Sequence, residues 1–217
     1  ARAELEKQKP MFMLAESNDP AIHAAFDMTY DWKLLDTFAA IADGKAGADA
    51  LRSWVRTGQD GFPADAYRMT FTTNHDVNSW RWGDTEKYGP RFRAFAVLAA
   101  TLPGMPLIYS GQEAGLDRKI AFFEKDAIDW KRYDNADFYA ALIKRKARHP
   151  ALANGIKGGP VTVIDTGNPD VFAFRRALGK RFVTVAVNIS DKPVALSVLP
   201  GIKAQTLPAW GYALGEK

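Results

Sequence analysis

Cysteine is absent from the 217 residues. That excludes disulfides, thiolate metal sites and a cysteine nucleophile, and leaves the compartment open. No apolar run approaches the ~20 residues a membrane-spanning helix needs, so no membrane partner is expected. Residues 1–7 lack the apolar stretch of a signal peptide. A starting Met is missing too, and this segment reads as the tail of a helix, so the chain is expected to begin inside something larger. Charge of one sign is not in excess: 29 Lys and Arg stand against 25 Asp and Glu. The basic residues are scattered without interleaved aromatics, and no nucleic-acid partner is expected. What remains is ordinary globular composition, 47% hydrophobic and 25% charged, enough for a sizeable core in one large domain or one medium and one small.

The pattern along the chain has two characters. Met11-Phe12-Met13-Leu14-Ala15 is a continuous apolar run, as expected of a strand covered on both faces. Phe26 to Tyr30 is a weaker strand candidate. Leu34, Leu35, Phe38 and Ile41 form a helical stripe ended by Asp43-Gly44-Lys45, and Leu51, Trp54 and Val55 mark another turn or two. Arg68 to Thr73 is the next strand. Pro90 opens a buried helix over 91–102, Leu107-Ile108-Tyr109 is a further strand, and Asn135 caps a last helix reaching about Arg148. After Pro150 the period becomes alternating. Strands are predicted over 161–164, 171–176, 182–188, 194–198 and 210–214, separated by turn residues such as Gly167-Asn168-Pro169-Asp170 and Gly179-Lys180. Residues 1–150 therefore read as an α/β domain and residues 151–217 as a small antiparallel sandwich.

Two strands deliver an acid at their C-terminal tips. The first ends in Glu16, and Phe71-Thr72-Thr73 runs into Asn74-His75-Asp76. In barrels and doubly wound sheets the chemistry sits at those ends. A carboxylic acid in a dry pocket stays protonated and can serve as a general acid, whereas one among polar neighbours stays ionised. Glycosidic cleavage needs both kinds, because its transition state is a positively charged, oxocarbenium-like sugar. Trp80, Trp82 and Tyr88 follow, flat faces on which sugar rings could stack. Trp-Arg-Trp alternation puts both indoles on one side of an extended loop; packing is the equal alternative.

The same residues carry a resemblance. Phe71-Thr72-Thr73-Asn74-His75-Asp76 resembles the strand-seven motif of the alpha-amylase family of glycoside hydrolases, and Met13-Leu14-Ala15-Glu16 its strand-five motif. Pro106-Leu107-Ile108-Tyr109-Ser110-Gly111-Gln112-Glu113 resembles strand eight. Phe122-Phe123-Glu124-Lys125-Asp126, with Ile128 and Trp130, is similar to what many bacterial members carry after it. The four blocks, in order, span roughly residues 10–150. The resemblance implies a partial (β/α)₈ TIM barrel, strands five to eight with their helices, followed by an antiparallel β domain. It implies that Glu16 is the proton donor, that Asp76 stabilises the transition state, and that His75 holds the same sugar. Asn74 would support the site from behind, and the substrate would be an α-glucan or maltooligosaccharide. The family's nucleophile, an aspartate two residues after an arginine at the end of strand four, is not found. A parent enzyme would be a retaining hydrolase, a transferase or an isomerase of that family. This chain alone is expected to be inactive, with a non-catalytic glucan-binding module as the alternative from another class. The half barrel should be covered by a missing N-terminal segment or by self-association. No cofactor is expected in this segment; calcium belongs to the full-length parent.

Other features have plainer readings. Asn74-His75-Asp76 as a metal cluster is the lesser alternative, since no second histidine lies at ligand spacing. His23 and His149 read as structural. Lys144, Arg145, Lys146 and Arg148 read as a solvated helix terminus, Asp84 and Glu86 as solvated carboxylates, and 155–159 as a linker.

Overall fold

The computed structural model describes residues 2–130 and 132–217; Ala1, at the head of the expected helical tail, lies outside them. A short helix α1 (Arg2–Leu5) precedes β1 (Leu14–Ala15) and β2 (Met28–Tyr30). Helices α2 (Trp32–Ala42) and α3 (Ala48–Thr57) lead to β3 (Tyr67–Thr70). Helices α4 (Asp84–Tyr88) and α5 (Phe92–Thr101) lead to β4 (Met105–Pro106), and α6 (Ala136–Arg148) closes this part. The four strands are parallel in the order β1-β2-β3-β4, in register through Leu14 with Met28, Thr29 with Arg68 and Met69 with Met105. Four parallel strands joined by helices make half of an eight-stranded barrel.

Local chemistry sets the limits of these elements. Asp31 caps α2 by accepting from the Leu34 N–H at 3.0 Å, and the stripe Leu34, Leu35, Phe38, Ile41 is buried as its spacing predicts. Helix α5 is buried from Ala94 to Thr101. It starts at Phe92 rather than at Arg91, because Pro90 and Arg91 sit in a 3₁₀ turn, Gly89–Arg91. The outer strands are shorter than expected. The strand predicted at 107–109 pairs only at Met105 and Pro106. Leu107 N–H still reaches the Thr70 carbonyl at 2.8 Å, but the Tyr109 N–H is taken by Gln112 Oε1 at 2.7 Å. A side chain there outcompetes the ladder.

The C-terminal part is antiparallel: β5 (Val161–Ile164), β6 (Val171–Leu178), β7 (Arg181–Asn188), β8 (Val194–Leu196), β9 (Gln205–Leu207) and β10 (Tyr212–Glu216). The main sheet runs β10-β7-β6-β5, and β8 pairs with β9. Strand β10 begins at Tyr212 instead of Trp210, whose φ of 55° belongs to a turn. Period-two alternation gives this sheet two apolar faces. Phe172, Phe174, Val183, Val185 and Val187 pack on Leu34, Phe38, Phe95 and Leu98 of the helices. Val171, Ala173 and Ala186 pack beneath Val194, Leu196 and Leu207 of the β8–β9 layer. One continuous core thus joins the β domain to the half barrel.

Candidate active site

Three neighbouring strands end at one place. Glu16 follows β1, Tyr30 ends β2, and His75 and Asp76 follow β3 by way of a buried run from Phe71 to Asn74. His75 Nε2 lies 3.5 Å from Glu16 Oε1 and 3.7 Å from Asp76 Oδ1. Polar atoms of Glu16, His75 and Asp76 all lie within 4.8 Å of one another. Their side chains are 50%, 47% and 41% exposed, so the group is open to a ligand. The dry pocket expected around Glu16 is not supplied by the described residues. Asn74 is fully buried; its Oδ1 accepts from the Val77 N–H at 2.8 Å. That bond turns the chain directly after Asp76 into a π-helical turn, Val77–Arg81. Asn74 thus reaches the cluster only through the backbone it holds.

Tyr30 is the residue that sequence reasoning passed over. Its ring is buried, stacked on Trp32 at 5.5 Å and edge-on to Phe71 at 5.6 Å. Burial, and then the charges of Glu16 and Asp76, push its hydroxyl above the usual tyrosine value. Its signal was position: it is the last residue of the weak strand candidate between the two acid-bearing ones.

The aromatic residues divide. Trp80 is exposed. Trp82 is half-buried against the Met28, Tyr30, Phe71, Val77 cluster, with Lys87 Nζ 4.6 Å over its ring. The π-helical turn replaces the extended loop that would have put both indoles on one side. Tyr88 is fully buried, its hydroxyl donating to the Thr72 carbonyl at 3.3 Å, and is a core residue rather than a sugar platform. Asp84, expected in solvent, is also buried. Its Oδ2 accepts from Gln112 Nε2 at 2.9 Å, and burial raises its pKa. The same amide contacts Thr72 Oγ1 at 2.9 Å and Tyr139 Oη at 3.1 Å, fastening the segments after β3 and β4 to α6. Glu86 is exposed and accepts from the Gly83 N–H. In the basic run, Lys146 departs from full solvation: it donates to the Leu152 carbonyl at 2.9 Å. Burial, then Arg176, lowers its pKa to about 7. His23 and His149 hold Thr29 and the Ala151 N–H.

A cleft of about 760 Å³ opens at the other end of the sheet, beside Phe12, Tyr67, Met105 and Lys146. Barrel chemistry sits at the C-terminal strand ends, so this cleft is not the candidate site. Calcium takes roughly six to eight oxygen ligands. Two carboxylates, one exposed and one half-buried, and an imidazole, the one tri-ligand group among the described residues, do not fit it.

The alpha amylase catalytic domain matches residues 8–153. The alpha-amylase MalA of Haloarcula japonica is 28% identical over 214 residues, which is 93% of this chain and 30% of that protein. An alpha-amylase of Lactobacillus plantarum superposes with a TM-score of 0.82 at 17% identity, over 100% of this chain and 57% of its own. The cyclic α-maltosyl-(1→6)-maltose hydrolase of Arthrobacter globiformis gives 0.79 at 18%, over 97% and 50%. The chain spans under a third of the curated relative and about half of the solved ones. With more than half of its residues matched by that catalytic domain, the chain belongs to the alpha-amylase family.

Proposed function

We propose that this chain is the C-terminal half of the catalytic barrel, with the β domain, of a retaining hydrolase of α-glucosidic bonds. The observation that carries the reading is the convergence of Glu16, His75 and Asp76 within 4.8 Å at the tips of β1 and β3. Glu16 protonates the leaving glycosidic oxygen. Asp76 offers negative charge to the oxocarbenium-like transition state, and His75 holds the same sugar. The substrate is an α-glucan or maltooligosaccharide, the class named in the maltosyl saccharide hydrolase it resembles.

A retaining displacement needs a nucleophilic carboxylate ~5 Å from the acid. The cluster contains Asp76, whose role in the resemblance is stabilisation, and no further carboxylate among the described residues. The 217-residue chain alone is therefore inactive, and a complete barrel supplies the third acid. Incubation with maltooligosaccharides should show no turnover by the chain alone and retaining hydrolysis by a complete barrel that contains it. Robust hydrolysis by the chain alone would overturn the assignment of roles.

A further inference from the structure

Cations drawn into a protein are as a rule paired with an acid, but two here are not. Lys146, half-buried on α6, donates through Nζ to the Leu152 carbonyl at 2.9 Å. Arg176, 1% exposed on β6, donates through Nη2 to the carbonyl of the next residue, Ala153, also at 2.9 Å. Its other bonds run to the carbonyls of Gly159, Thr101 and Leu102. Those four bonds leave one of the five guanidinium N–H groups over. The two cations therefore meet at consecutive carbonyls, where the 3₁₀ turn Pro150–Leu152 leads from α6 into the β domain. Among the described residues no carboxylate holds either of them.

Lys146 also lines the cleft of about 760 Å³ at the end of the sheet away from the carboxylates. The titratable groups sharing that cleft are Tyr67, Arg148, His149 and Lys157, and neither Asp nor Glu belongs to its lining. The amine is thus within reach of a small molecule, in surroundings that are cationic. Burial, and then the Arg176 charge, favour its uncharged form, with a pKa of about 7. At pH 7 its neutral, nucleophilic fraction is about 10³-fold that of an ordinary lysine. An amine held neutral among cations suits a partner that arrives uncharged and leaves a negative charge behind.

We propose that Lys146 is a site of reversible modification by carbon dioxide, its Nζ taking up CO₂ as a carbamate that pairs with Arg176. The Nζ lone pair attacks the carbon, and an N–C bond forms as one C–O π pair moves onto oxygen. The nitrogen then gives one proton to water; no oxidant or leaving group takes part. The product, Nζ–COO⁻, keeps one N–H for the Leu152 carbonyl and sets a carboxylate beside the guanidinium. Two cations that repel become an ion pair at the joint between the half barrel and the β domain. An aldehyde could add to the same amine, but its imine would bring no negative charge to Arg176.

Carbon-13 NMR of the 217-residue chain in buffer equilibrated with ¹³C-labelled CO₂ and bicarbonate at pH 7 tests the site. An α-amino terminus also adds CO₂ near this pH, so the Lys146 signal is read against Lys146→Arg, which keeps a cation that cannot add it. The wild type should show one carbamate resonance more than Lys146→Arg and Lys146→Met. At equal dissolved CO₂ that resonance should fall more than about tenfold at pH 5, where the amine is protonated. CO₂ should also raise the melting temperature of the wild type at constant pH and ionic strength, and leave both variants unmoved. Circular dichroism of the variants should match the wild type, so that a lost resonance reports the amine and not the fold. Equal numbers of carbamate resonances in all three proteins overturn the site. A rise in melting temperature shared by Lys146→Arg also overturns it, since bicarbonate would then sit between the cations without a bond. Saccharide turnover does not enter, so this inference and the glucan reading can fail separately.

Discussion

At Asp84 a carboxylate is sealed beneath the segments after β3 and β4, with Gln112 Nε2 as its donor. Burial raises its pKa from 3.8, so the folded state holds this proton more tightly than the unfolded chain does. Stability from this group is present at low pH and falls as pH rises through the raised value. Asp84→Asn keeps an acceptor for Gln112 and removes the charge, and should stabilise the fold at pH 8 by about 1–2 kcal/mol with little gain at pH 4. Denaturant melts at the two pH values check it; equal gains at both would contradict a buried charge. Lys146 works with the opposite slope. Its pKa is lowered from 10.5 to about 7, so between those values the unfolded chain binds a proton that the folded one does not. Stability therefore climbs with pH across that window. Lys146→Met should gain about 2–3 kcal/mol at pH 6, and the gain should shrink by pH 10. A pH-independent difference would rule this out. Neither environment was legible in the sequence. Asp84 and Lys146 sit in locally polar runs, and what buries them comes from far along the chain.

Among the elements, β6 shows where periodicity ends and tertiary contact takes over. Alternation predicts a strand stopping at Arg176, yet β6 runs to Leu178 with Arg176 only 1% exposed. The guanidinium donates to the carbonyls of Gly159 and Ala153 at 2.9 Å and to Thr101 and Leu102 at 3.4 Å. The last two lie at the C-terminal end of α5, where a cation is favoured. Burial still lowers its pKa to about 10. Arg176→Met leaves these carbonyls without donors and should cost about 3 kcal/mol in denaturant unfolding, loosening the β domain from the half barrel. A loss under 1 kcal/mol would mean that water replaces the clamp. The helical stripe of α2, the buried α5 and the hairpins of the β domain were legible, because each is set by its own residues. Strand β9 and helix α4 were not, being short and fixed by neighbours. Tyr88 was misplaced because helix α4 turns its ring into the core.

For the whole molecule, four parallel strands leave β1 and β4 as edges, and unpaired edges invite association. Light scattering on the isolated chain should show species larger than a monomer, and addition of the remaining half of the barrel should reduce them; a stable, soluble monomer would contradict an uncovered half barrel. The acids at the tips were legible because strand runs and the residues following them are sequential. Tyr30 and the openness of Glu16 were not, since both depend on what stands across the sheet. The central claim is that Glu16 donates the proton that releases the leaving sugar. Its most direct test is Glu16→Gln in a complete barrel, assayed on maltooligosaccharides and on α-glucosyl fluoride, whose leaving group departs without protonation. The account predicts a loss of about 10³-fold on the former and less than about tenfold on the latter. An equal loss on both, or no loss on either, would contradict it.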